Sequence, residues 1–192
     1  MLRATMTCFQ FCIFRGSVRT VKGDNATIVT FFLLLILLEL YPLVALFPHS
    51  EIASQLLQHR TAIWLLALVW HGLAIVMIFA LLKMKHSMSQ FRGTLASYFG
   101  VFLLFQLVGL LLQLLSQGTL PSGIRTLVLI VWLSWSCCVV GYVFGSALSI
   151  KFYQGVVLAF LINVVSYVLA FVVIGSILSN ELREIFLQQV RS

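Results

Sequence analysis

Five long runs of apolar residues follow one another along this chain, parted by short polar connections. They cover 27–47, 61–82, 93–115, 126–150 and 152–178. A helix rises about 1.5 Å per residue, so about 20 apolar residues span a hydrocarbon core of about 30 Å. The pattern therefore predicts an all-α, polytopic integral membrane protein, a bundle of about five transmembrane helices. The run boundaries agree with this. The first run follows Asn25 and stops at Pro48, the second lies between Arg60 and Lys83, and the third follows Arg92. The fourth is bounded by Arg125 and Lys151, and the fifth is long enough to tilt.

The connections are too short to fold alone. Residues 48–60 carry His49, Glu51, His59 and Arg60, and 83–92 carry Lys83, Lys85, His86 and Arg92. Residues 116–125 carry Gly118, Pro121 and Gly123, a turn composition. The fourth and fifth runs meet almost directly at Lys151, which predicts a tight hairpin. The domain reading is a short basic cytoplasmic segment, 1–26, then a transmembrane domain, 27–178, then an interfacial tail, 179–192. In that tail Leu182, Ile185, Phe186 and Val190 share a helical face. The apolar stretch around Ile13 is broken by Gln10 and Arg15 and does not read as a secretory signal; Met1 and Met6 both stand as possible starts.

Composition strengthens the reading. The chain is 61% hydrophobic and 9% charged, against about 25% charged in soluble domains. The net charge of +7 sits beside the apolar runs, where it sets orientation and meets anionic lipid rather than nucleic acid. With the N-terminus inside, the inner side holds Arg3, Arg15, Arg19, Lys22, Lys83, Lys85, Arg92 and Lys151, and the outer side only Arg60, Arg125, Arg183 and Arg191. Eight against four predicts N-in and, after five crossings, C-out.

Ionisable groups inside a membrane are costly and call for partners. Glu39 in the first run and His71 in the second fall at similar depth, as do the amides Gln106 in the third and Asn163 in the fifth. The fourth adds Ser134, Ser136, Cys137 and Cys138 near that level. Two readings of this polar layer stand side by side: interhelical hydrogen bonds that fix packing, or a proton or substrate site formed by Glu39 and His71. Pro42, three residues after Glu39, loosens the helix end there. One buried histidine is too few for bis-histidine haem, and Cys8 with Cys12 has no matching pair for a metal. No cofactor or metal is expected. A second pattern is one of small residues. Cys137, Gly141, Gly145 and Ser149 recur every four residues, with Ala96 and Gly100 a shorter version in the third run, and such faces let helices approach closely. They fit packing within the bundle or against another subunit. Trp64, Trp132, Tyr98, Tyr142 and Tyr153 fall toward run ends, where aromatic belts form. GxSxG, P-loop, HExxH and GxGxxG motifs are all missing, and five acidic residues leave little for acid–base catalysis.

The stretches RGTLASYFG, WLSWSCCVVGYVFGSALS and FYQGVVLAFLINVVSY, between Arg92 and Ile177, resemble the Yip family of small polytopic membrane-trafficking proteins. The resemblance implies five closely spaced helices, a cytoplasmic N-terminus, and a non-enzymatic, membrane-organising role in a bacterial inner membrane or an endomembrane. The acidic Leu-Tyr-Gly-Pro motif of the eukaryotic members does not occur here, so no GTPase-related partner is implied. Two functions follow as expectations. The first is an accessory or membrane-organising protein that packs against other integral membrane proteins, or itself, through faces such as Cys137/Gly141/Gly145. The second is a small transporter or channel built on Glu39 and His71.

Overall fold

The computed structural model describes residues 2–18, 21, 23–41, 60–116 and 122–177. Among them the fold is all-α, with helices α1 Leu2–Cys12, α2 Asn25–Tyr41, α3 Arg60–Met84, α4 Phe91–Ser116, α5 Ser122–Leu148 and α6 Phe152–Ile177. Helices α3 to α6 are each long and apolar enough to cross a membrane. Helix α2 has 17 residues, about 26 Å of rise, so its described part is shorter than the span expected over 27–47. The remainder of that expectation, including Pro42, lies outside the described residues, as do His49, Glu51, His59, Pro121 and the tail 179–192.

Local chemistry sets the ends. Asp24 caps α2, its Oδ1 accepting the Thr27 N–H at 2.7 Å. The same Thr27 hydrogen bonds, side-chain first and then backbone, hold the exposed Asp24 carboxyl below its ordinary value. At Lys151 the Gln154 side chain reaches back to accept the backbone N–H at 3.2 Å, and only three residues part the end of α5 from the start of α6. The expected hairpin is thus present. Helices α1, α3 and α5 end alike, with Phe14, His86 and Ser149 at φ of 54, 53 and 55°. The next N–H in each bonds back five residues: Arg15 to Gln10, Ser87 to Leu82, and Ile150 to Gly145.

The turn of α3 into α4, the α5–α6 hairpin and the start of α2 gather at one end. Leu81 and Leu82 line a common void with Thr94, Phe144, Ala147 and Leu148, and Gly23 lies against the Arg92 carbonyl. Lys83, Lys85, Arg92 and Lys151 are exposed there, and we call this the basic end. Helix α4 is central: Leu95 to Phe99 and Val101 are buried, with α1 and α2 on one side and α5 on another. Hydroxyls in its first turns bond back along the helix, Thr94 to Gln90 O at 2.8 Å and Ser97 to Gly93 O at 2.7 Å, which leaves them satisfied without water.

The sequence reads 1–26 as a short basic cytoplasmic segment. Part of this segment, expected as a cytoplasmic extension, is a helix packed into the bundle, with Cys8 and Phe11 fully buried. A Cβ on Gly100 would collide with the Cys8 sulfur, so the glycine makes the seat for α1.

Candidate functional site

Glu39 lies near the end of the described part of α2, and His71 halfway along α3. The fold brings them together. His71 Nε2 is 3.1 Å from Glu39 Oε1 and 3.2 Å from Oε2. The His71 side chain is completely buried and that of Glu39 is 11% exposed. Three helices sheathe the imidazole in aromatic rings. Trp70 of α3 stacks on it at 4.8 Å and 20°, while Phe32 of α2 and Phe99 of α4 present edges at 6.1 Å. Tyr167 of α6 meets the far side of the assembly, edge-on to Trp70 at 5.8 Å.

The polar accounting inside this sheath is incomplete. Among the described residues His71 Nδ1 and Trp70 Nε1 are buried without a hydrogen-bond partner. Buried polar atoms are nearly always paired, and an orphan costs about 1–3 kcal/mol. In the tautomer that carries its proton on Nε2, His71 donates to the Glu39 carboxyl and Nδ1 is left as an acceptor.

Other members of the expected polar layer make hydrogen bonds of their own. Asn163 Oδ1 accepts from the Tyr98 hydroxyl at 3.2 Å, and its amide donates to Ala159 O at 2.8 Å. Tyr98 is thus a fully buried core residue and not part of an aromatic belt. Gln106 is half-buried, seven residues beyond Phe99 and so about 10 Å farther along α4. Ser136 bonds back to Leu133 O at 2.8 Å, Ser134 is exposed, and Cys137 and Cys138 are half-buried free thiols. No three His, Cys, Asp or Glu side chains among the described residues come together as metal ligands. Sequence reading missed Trp70, Phe32 and Phe99. The one available signal was the Trp-His dipeptide itself, because the other rings join the site only through tertiary packing.

The glycines of the small-residue faces pack within the bundle, the first of the two readings. Gly141 is buried, and a Cβ there would lie 2.5 Å from Val156 Cα; one on Gly155 would collide with the Gly141 carbonyl. Gly145 is buried beside the hairpin, 3.5 Å from Ile150 O to its would-be Cβ. Ala96 and Gly100 are covered by α1, α2 and the Gly23 turn. Both faces are therefore filled from within the same chain and are not free to receive another protein. Of the stripe, Ser149 alone is exposed, at the hairpin, and Cys137 is half-buried.

Comparison of the chain with known protein families, with curated proteins and with solved structures finds no match in any of the three.

Proposed function

We propose that the chain is a non-enzymatic, multi-pass membrane protein that handles protons at Glu39–His71, as a small transporter or channel. One observation carries the reading: a fully buried histidine bonds a carboxyl through Nε2 and has no Nδ1 partner among the described residues. A simple packing clamp gains nothing from an orphaned nitrogen, whereas a proton site needs one. Ionisable groups within membrane spans mark ion pathways and proton relays often enough that this is their first interpretation. The positive-inside count supports a cytoplasmic basic end.

The test is proton flux. Purified protein in liposomes with an imposed pH gradient and an internal pH dye should dissipate the gradient. Glu39→Gln should slow it by about tenfold or more, since the variant keeps the shape but cannot be the counter-charge. Size-exclusion and thermal profiles of the variant establish that it is folded. Wild-type flux no faster than empty liposomes ends the reading, as does a folded Glu39→Gln with undiminished flux.

A second reading is supported by a separate observation. In the outer half of α5 the described side chains over 123–135 are exposed except Trp132, which packs on Phe105 at 4.6 Å. A helix of a self-contained bundle buries one face along its length. This surface, and the Yip-like layout of the last three helices, support assembly with another integral membrane protein.

A further inference from the structure

We infer that α1 is a half-membrane helix, lying within the leaflet at the basic end, with its outer face covered by lipid acyl chains. This inference is independent of the proton reading. Depth is the first ground. Cys8 sits against Ala96 and Gly100, inside the first three turns of α4, and against Phe31 in the second turn of α2. Phe11 meets Tyr142 in the last two turns of α5, with ring centroids 6.2 Å apart. By helix rise these neighbours lie about 10 Å inside the span ends. An in-plane amphipathic helix settles at about 5–10 Å into the headgroup–acyl boundary.

The second ground is how the backbone end of α1 is satisfied. The last carbonyls of a helix have no partner of their own, and in hydrocarbon no water supplies one. Here Trp135 Nε1 donates to Cys12 O at 3.1 Å and the Tyr142 hydroxyl to Gly16 O at 3.0 Å. The Val18 N–H in turn donates to Ser146 Oγ at 3.3 Å. One side chain of a membrane-crossing helix thus caps α1, and a second holds the segment that follows it. This is the pairing a non-aqueous setting demands.

The third ground is the outer face. Met6, Phe9, Ile13 and Phe14 are 66, 62, 46 and 41% exposed. Phe14 is edge-on to Phe152 at 5.8 Å, and Phe152 is itself 48% exposed at the start of α6. The apolar surface of α1 therefore runs on into that of a membrane-crossing helix. Arg15 follows as an exposed cation at the polar boundary.

The experiment uses the wild-type protein in phosphatidylcholine vesicles that carry a photoactivatable diazirine at mid acyl chain. After illumination, lipid adducts are mapped by mass spectrometry. Adducts on 5–14 are expected within about twofold, per exposed side chain, of those on Val164, Val168 and Val172 of α6. A parallel probe with the diazirine in the headgroup should favour Arg15 and Lys151. Three outcomes overturn the inference: acyl-chain adducts on α6 but none on α1, adducts on α1 from the headgroup probe alone, or no acyl-chain adducts on either helix. Labelling of α1 that appears only when protein is diluted far into lipid also overturns it, because a second copy then covers the face.

Discussion

At the scale of single residues, His71 and Glu39 have the sharpest consequences. Removing one partner of a buried pair leaves the other without compensation, at a cost of about 3–5 kcal/mol, whereas replacing both by apolar groups is often neutral. His71→Ala is therefore expected to lower the melting temperature of the detergent-solubilised protein strongly, and the double variant Glu39→Leu/His71→Phe to recover much of the loss. Equal damage from single and double variants would show that shape rather than pairing matters there. Asp24 gives a pH prediction. Thr27 depresses its folded-state value, so the cap stabilises fully above the unfolded carboxyl pKa of about 3.9 and is lost as pH falls through the lower folded value. From pH 5 down to pH 3 the wild type should lose thermal stability relative to Asp24→Asn, whose cap does not titrate. The Glu39–His71 contact was foreshadowed by two ionisable residues at equal depth in neighbouring runs. Their partners were not, since apolar runs surround both and any ring among them could have faced the pair.

At the scale of elements, the helix contacts decide the fate of the small residues. Gly141 and Gly155 let the α5 and α6 backbones touch, and an added methyl meets backbone that cannot yield. Gly141→Ala should destabilise by about 1–3 kcal/mol. Gly72 faces open space within 4 Å, so Gly72→Ala should be neutral or stabilise by about 0.5–1 kcal/mol through helix propensity. The two melting curves, measured side by side, separate crossing from propensity. His86 ends α3 in the left-handed region, where an L side chain costs about 1–2 kcal/mol. His86→Gly should raise the melting temperature, and no change would mean the side chain compensates. Spacing of four residues showed that a small-residue face exists. Which helix fills it depends on a three-residue hairpin that forces α6 onto α5 before any outside protein can arrive.

For the whole molecule, orientation and α1 remain to be measured together. With the basic end cytoplasmic, a cysteine replacing Lys85 should react with an impermeant maleimide only in inverted or permeabilised vesicles, and reaction in right-side-out vesicles would reverse the topology. Hydropathy alone determined that this is an all-α membrane protein, because no other solvent accommodates so many apolar side chains and only helices of that length satisfy their own backbone in lipid. It also determined the last four spans to within a few residues, since charges and helix caps mark where hydrocarbon ends. The tertiary structure decided the rest. It decided that α1, too short and too polar to register as a span, is folded into the bundle by the capping donors of Trp135 and Tyr142. It also decided that the glycine faces are filled internally and that Glu39 meets His71. In lipid every helix face is apolar, so the pattern that reveals a helix in water says little here about which face meets which.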